Sequence, residues 1–361
     1  MNTISRPESL DRTRATVPVW VDLVSPSHPF FFAALMDRLD GVALDVTVRE
    51  KGETVPLARE VGFDFRVVGR DFDHETLRKV GIPLRTGQLG LEAPDAAVAL
   101  SARNAMSVLA ARANGIPSIH YTDNDITAYV DGLWAEQLYN RLEALATHNV
   151  VPAAFERDEL ERWPASGAVH TYDGIKEDVY VADFEPEPDF TDRFPFETFV
   201  VIRPEALTAA YVDVEASLVP KLLEGFVDRD IPVVYLPRGR GDEEFADPYD
   251  RSEVFVPENP LNGLDLAWNA RCMLTGSGTM AREAASLGTP AVSFFPNELL
   301  SVDRHLVEEG RIFHSRHPDD IVAYVTGLDA ADAVPDTSRA ERVQEEVARL
   351  TARLINSEVD A

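Results

Sequence analysis

Thr275-Gly276-Ser277-Gly278-Thr279-Met280-Ala281-Arg282-Glu283-Ala284-Ala285-Ser286-Leu287-Gly288-Thr289-Pro290 joins two short apolar runs, 271–274 and 291–294. Runs of that length bounded by Gly and Pro read as buried strands. The small-residue turn followed by helix formers predicts a helix that starts near Thr279 and ends at Gly288. Strand, turn, helix and strand make one parallel βαβ step. Glycines let a backbone approach a ligand closely, and the free N–H groups of a helix start attract an anion. A diphosphate could therefore sit on Gly276, Ser277, Gly278 and Thr279, with Glu283, about one turn on, reaching a ribose hydroxyl. The competing reading is a tight turn with Thr279 as a simple helix cap. Gly276, Gly278 and Ala281 also satisfy a loose Gly-x-Gly-x-x-Ala dinucleotide pattern, but no acidic residue ends a following strand where that pattern needs one.

The same alternation extends outward in both directions. Strand-like runs are expected at 17–24, 42–48, 65–68, 96–100, 117–120 and 149–151, with helical stretches at 30–39, 104–113 and 133–146. A second series follows at 199–202, 233–236, 254–256, 271–274 and 291–294. Between the two series, the acidic, proline-rich segment around Glu185-Pro186-Glu187-Pro188 reads as a linker. The expected organisation is a polar N-terminal extension at 1–16, a Rossmann-like domain at 17–182, a linker at 183–196, a second Rossmann-like domain at 197–332, and a closing amphipathic helix within 333–361. The fold class is α/β, with two parallel sheets facing across a cleft. Ligands of such sheets bind beyond the carboxyl ends of the strands, so the loops after strands should carry function.

Composition narrows the classes of partner. The chain of 361 residues carries 34 Lys and Arg against 62 Asp and Glu, a net charge of −28. Such an acidic surface repels phosphate backbones and disfavours nucleic acid as a partner. The acids are spread along the chain, and only Lys51, Lys79, Lys176 and Lys221 are lysines. That pattern fits a surface working in concentrated salt, where screening acts over about 3 Å at 1 M, and points to a halophilic cytoplasm. No run of 18 apolar residues is present, so a transmembrane segment is not expected, while peripheral membrane association stays open. Cys272 is the single cysteine and sits in an apolar run, where a buried core thiol is expected. No His-Glu-x-x-His, Walker A, Gly-x-Ser-x-Gly or zinc spacing occurs, so neither a metal site nor a permanently bound cofactor is expected.

The segment 275–290 resembles the C-terminal sugar-nucleotide motif of the non-hydrolysing UDP-N-acetylglucosamine 2-epimerases and related GT-B-fold glycosyltransferases. Ser277, Gly278, Glu283, Leu287, Gly288 and Pro290 carry the match. In the epimerases a Ser-Gly turn holds the diphosphate and a helix glutamate the ribose. An Asp stands there in place of Gly276, and a Gly in place of Thr279. A second likeness runs from Gly115-Ile116-Pro117-Ser118-Ile119-His120 to the helix bearing Glu136, Asn140 and Arg141. The epimerases place a catalytic glutamate just after that strand, and here Asp123 and Asp125 stand in the corresponding loop, as acid–base candidates or as caps of the next helix. As a whole, 17–314 is similar to a largely archaeal GT-B-like family of unknown function. It shares Gly174-Ile175-Lys176-Glu177, Ile202-Arg203-Pro204-Glu205 and Ser293-Phe294-Phe295-Pro296.

Further loops after strands add candidates. Ser27 and His28 follow the first strand, and His28 has the near-neutral titration of a general base. Ser101 and Asn104 follow the fourth. Arg203 and Arg238 could pair with phosphate, and Asp303 with a sugar hydroxyl. His314 and His317 read as surface residues. The resulting expectation is a GT-B glycosyltransferase acting without a metal on a nucleotide sugar, with UDP the expected carrier, and an unidentified acceptor in surface-glycan synthesis. The alternatives are a sugar-nucleotide epimerase and a non-catalytic nucleotide-sugar binder. A homodimer stays open.

Overall fold

A computed structural model describes residues 16–70, 75–205, 217–239, 241–329 and 334–360. All but the last residue of the expected extension at 1–16 lies outside the described residues. The strands are β1 (Val17–Leu23), β2 (Val42–Glu50), β3 (Phe65–Arg70), β4 (Val98–Ala102), β5 (Ser118–Tyr121), β6 (His148–Pro152) and β7 (Ala168–Tyr172). A second series comprises β8 (Val200–Arg203), β9 (Val233–Tyr235), β10 (Val254–Phe255), β11 (Cys272–Thr275), β12 (Ala291–Ser293) and β13 (Ile312–His314). Between them run α1 (His28–Met36), α2 (Thr54–Glu60), α3 (Glu75–Leu91), α4 (Ala105–Ala113), α5 (Trp134–Glu143), α6 (Asp158–Glu161) and α7 (Lys176–Val181). The second series is interleaved with α8 (Val219–Val227), α9 (Gly263–Asn269), α10 (Gly278–Ser286), α11 (Ser301–Glu308) and α12 (Pro318–Thr326), and α13 (Ser338–Val359) follows.

The fold class holds: the chain is α/β with two parallel sheets, in the orders β3-β2-β1-β4-β5-β6-β7 and β10-β9-β8-β11-β12-β13. Both orders run outward from the first strand of their series and then jump to the other side of it, which is the doubly wound pattern. The reversal falls between β1 and β4 in one sheet and between β8 and β11 in the other, and in sheets of this kind ligands bind at such a point, beyond the carboxyl ends of the strands.

The chain divides into two compact units. One comprises the described residues up to Tyr121, with Leu145–Asn149 and those from Ala348 on; the other comprises Thr122–Ala144 and Val150–Val347. Side-chain bonds run within each unit. The far end of α13 is held to the first unit by Tyr121–Thr351 at 2.6 Å and His148–Glu358 at 2.8 Å. α7 belongs with α10, joined through Tyr180 and Glu283.

In the first unit, Trp20, Val68, Leu89, Ala99, Met106 and Ala110 form an apolar core. Asp22 is the charged exception on β1, fully buried and paired with Arg85. In the second unit, Val200, Ile202, Leu222, Phe226, Tyr235, Leu274, Phe294 and Ile321 pack together. Cys272 is fully buried among them, as its apolar run suggested. Strands β7 and β13 were absent from the sequence reading. Both are short and only partly buried, so neither shows a clean apolar run. His314, expected at the surface, ends β13 half-buried, with Nδ1 2.9 Å from the Ser293 carbonyl. Burial lowers its pKa.

Candidate active site at the start of α10

The quoted segment forms the expected step. β11 ends at Thr275, registered against Arg203 at the end of β8, so the chain leaves the sheet at the reversal point of the second unit. Gly276 N–H donates to the Arg203 carbonyl at 3.0 Å. A Cβ on Gly276 would stand 2.6 Å from the Glu205 Cα and 2.8 Å from its nitrogen, so only glycine lets these two loops touch. The helix begins at Gly278, one residue earlier than the sequence suggested. Ser277 stands at the N-cap in extended conformation, and its side chain makes no capping bond. At the other end Gly288 adopts φ +75°. There Thr289 N–H donates to Ala284 O at 3.0 Å and Gly288 N–H to Ala285 O at 3.2 Å, the paired bonds of a Schellman ending.

Ser277, Gly278 and Thr279 are half-buried. Beside them lies a group of charges that the sequence reading had not brought together. Arg282 is 5% exposed and donates Nε and Nη2 to the two oxygens of Asp303, at 2.6 and 2.8 Å. Its Nη1 donates to Asp123 at 2.9 Å and lies 3.8 Å from Glu177. Lys176 Nζ stands 3.5 Å from Asp123 and 3.7 Å from Glu177. The position a Gly278 Cβ would take is 3.7 Å from Arg282 Nη2 and 3.9 Å from Asp303 Oδ1, so this charge group adjoins the helix start.

Burial shapes the chemistry of the cluster. It pushes the Glu177 carboxyl up, against the pull of Lys176 and Arg282. It pulls the Lys176 ammonium down, but Asp123 and Glu177 outweigh it and hold Lys176 above its ordinary value. It pushes the Glu283 carboxyl up to about 7, while the hydrogen bond from Tyr180 draws it back. A carboxyl near neutrality can both hold and release a proton at physiological pH.

Residues 17–333 match the family model described as Protein of unknown function (DUF354). The chain belongs to that family. A relative, Uncharacterized protein MJ0665 of Methanocaldococcus jannaschii, is 26% identical over 322 residues, spanning 85% of this chain and 90% of its own length. Among solved structures, UDP-GlcNAc 2-epimerase from Neisseria meningitidis bound to UDP-GlcNAc superposes with a TM-score of 0.67, at 14% identity over 94% of this chain and all (100%) of that one. The glycotransferase of kitacinnamycin gives a TM-score of 0.60, at 16% identity over 96% of this chain and 100% of that one. The DUF354 chain thus has the fold that GT-B glycosyltransferases share with UDP-GlcNAc 2-epimerases.

The remaining candidates of the DUF354 chain take varied places. Asp125 accepts backbone N–H bonds from Ser301 at 3.1 Å and Glu156 at 2.9 Å, which engages both oxygens and ties its loop down. Asn140 is buried and donates to Thr127 Oγ1 at 2.9 Å, so it turns inward. Glu136 is half-buried in the first turn of α5, and Arg141 lies 5.6 Å over the Trp163 ring. Arg203 is half-buried at the strand end, and Arg238 donates Nε to the Pro204 carbonyl at 2.8 Å.

In the first unit, Val24 N–H donates to His28 Nδ1 at 3.3 Å, and the ring is buried at the start of α1. Ser27 precedes it as N-cap without a side-chain bond. Ser101 Oγ lies 3.0 Å from His120 Nδ1. Asn104 caps α4 through Ser107 N–H and donates to Asp22 at 2.7 Å.

Lys176 and Glu177 entered the sequence reading only as part of the Gly174-Ile175-Lys176-Glu177 likeness, without a role in the site, and Tyr180 and Arg282 had none. Among the described residues no helix is long and apolar enough to cross a membrane.

Proposed function

We propose that the protein is a nucleotide-sugar-dependent glycosyltransferase whose donor diphosphate sits on the amide-rich start of α10. One observation carries the reading: Gly276-Ser277-Gly278 leaves the sheet at its reversal point and opens a helix that Ser277 leaves uncapped. Helix N-termini of this kind stabilise phosphate through oriented N–H groups and the helix dipole. Glu283, one turn on, is assigned to the ribose hydroxyls, and Arg203 to the phosphates. The Neisseria epimerase, with the same fold, is described as holding UDP-GlcNAc, which supports a UDP-sugar as donor.

In this scheme the acceptor hydroxyl attacks the anomeric carbon of the sugar. The new carbon–oxygen bond forms as the bond to the diphosphate oxygen breaks. The hydroxyl proton passes to a carboxylate, for which Asp123 is the assigned group, and the nucleoside diphosphate leaves with its added charge facing the helix start.

Epimerisation is the second reading, favoured by the clustering of Asp123, Lys176 and Glu177. Removing and returning a proton at C2 requires several ionisable groups close together. Incubation of the protein with UDP-GlcNAc in D2O, followed by NMR, separates the two. Deuterium at C2 with a new epimer and no acceptor supports epimerisation. UDP released only when a glycan or lipid acceptor is added supports transfer. Binding without turnover makes the protein a nucleotide-sugar binder. Absence of binding to any nucleoside diphosphate or its sugars in molar KCl would overturn the proposal.

A further inference from the structure

The two cations of the charge cluster are used very differently. Arg282 commits three nitrogens to protein carboxylates at 2.6, 2.8 and 2.9 Å. Each nitrogen of the guanidinium is thus already tied to a protein carboxylate, which fixes its plane. Lys176 is the opposite case. Its ammonium carries three N–H donors, yet its neighbouring carboxylates stand at 3.5 and 3.7 Å, beyond the usual 2.7–3.2 Å of a nitrogen–oxygen hydrogen bond. Its side chain is 18% exposed, against 6% for Arg282, so of the two it is the one a solute can reach.

Glu177 supplies an independent observation. It is fully buried, and among the described residues neither carboxylate oxygen has a hydrogen-bond partner. The charges of Lys176 and Arg282, at 3.7 and 3.8 Å, offset its burial. An unsatisfied buried carboxylate is costly and rare in a native structure, so it calls for a specific reason. Here it fixes the position of an ammonium without closing a hydrogen bond on it. Asp123 flanks the ammonium from the other side with a long contact of 3.5 Å while it also anchors Arg282, and Arg282 in turn lies next to Gly278.

We infer that Lys176 is a phosphate-binding residue of this site, an ammonium held ready by Glu177 and Asp123 that turns its N–H donors to the diphosphate of the nucleotide ligand. The inference rests on the nucleotide-sugar reading and adds to it a cation from α7, outside the β11–α10 segment. Glu177 is a positioning residue, and the ligand class is a nucleoside diphosphate or its sugar ester. Lys176 also offsets charge, because Asp123 and Glu177 lie beside it and Asp303 is bound by Arg282 next to the helix start.

The test is calorimetric titration of the full-length wild type, Lys176→Met and Lys176→Arg with UDP, ADP, GDP and inorganic pyrophosphate, at one fixed KCl concentration. Thermal unfolding of each protein reports on folding. A charge-assisted hydrogen bond removed from a phosphate should weaken binding of the preferred diphosphate by roughly 10- to 100-fold in Lys176→Met. Lys176→Arg, which keeps the charge, should stay within about fivefold of wild type. If the Met variant does not fold, Lys176→Gln takes its place. Wild-type affinity in the folded neutral variant overturns the inference. So does an Arg variant as weak as the Met variant, since the stem and not the charge would then matter. A wild type that binds none of the four probes overturns both the inference and the nucleotide reading, whereas binding unchanged by the substitutions overturns the inference alone.

Discussion

Tyr180 donates its hydroxyl to Glu283 Oε1 at 2.7 Å, linking α7 to the helix that opens the candidate site. Burial has raised Glu283 to about 7 from 4.5, so the folded protein keeps this proton to a higher pH than the unfolded chain does. Stability is therefore lost as pH rises between those values, by up to about 2 kcal/mol once solvent screening of a half-buried group is allowed for. Glu283→Gln retains an acceptor for Tyr180 and removes the titration. Urea unfolding should find it more stable than wild type at pH 8 and nearly equal at pH 4. A difference that stays constant across this range would show that Glu283 titrates normally. If Glu283 also holds the ribose, Glu283→Ala weakens nucleotide binding by about 1–3 kcal/mol, read by calorimetry.

The two glycines of the turn should respond differently to the same substitution. In Gly276→Ala the new methyl meets backbone atoms of Glu205 at 2.6 and 2.8 Å, which a side-chain rotation cannot relieve. The two loops must separate, at a cost of about 1–3 kcal/mol or more. In Gly278→Ala the nearest atom is Arg282 Nη2 at 3.7 Å, an ordinary contact, and alanine suits a helical position better than glycine. Its unfolding midpoint should match or exceed that of wild type, while nucleotide affinity falls because the methyl stands where the ligand approaches. Equal destabilisation of both variants would contradict the geometry of the turn.

The α/β class and the strand–turn–helix at 271–290 were legible because β1, β8 and β11 are short apolar runs and Gly288 has one conformational role. What the sequence hid was the company Asp123 keeps. Its contacts, Lys176 and Arg282, lie 53 and 159 positions away, and no periodicity reports on pairings of that separation. The direction of α13 was lost for a similar reason. Its amphipathic spacing shows a helix, but the bonds through Thr351 and Glu358 decide which unit its end joins. Local pattern also could not show that Asp125 spends both oxygens on backbone N–H groups, since a loop aspartate looks the same whether it reacts or holds.

The net charge of −28 leads to an expectation about conditions. Self-repulsion across an acidic surface opposes the compact state, and salt screens it over about 10 Å at 0.1 M and about 3 Å at 1 M. Thermal unfolding followed in 0.1, 1 and 3 M KCl should show a midpoint that rises with each step. A flat or falling series would mean that surface repulsion contributes little, and the reading of a halophilic surface would lose its support.

The buried pair Asp22–Arg85 gives the sharpest stability prediction in the first unit. Asp22 Oδ1 accepts from Arg85 at 2.8 Å and Thr47 at 2.6 Å, and Oδ2 from Arg85 at 2.9 Å and Asn104 at 2.7 Å. Arg85 Nε closes the network on the Val68 carbonyl at 2.9 Å. Both oxygens of Asp22 and all three nitrogens of Arg85 are engaged, so the pair costs little to keep and much to break. Arg85→Met leaves a buried carboxylate without its cation, which should destabilise by about 3–5 kcal/mol. Adding Asp22→Asn removes the stranded charge while Thr47 and Asn104 can still bond the amide. The double variant should therefore recover a large part of the loss. Urea unfolding of both singles and the double supplies the full cycle. Strict additivity of the two losses would mean that Asp22 and Arg85 do not act as a pair, despite the bidentate geometry that joins them.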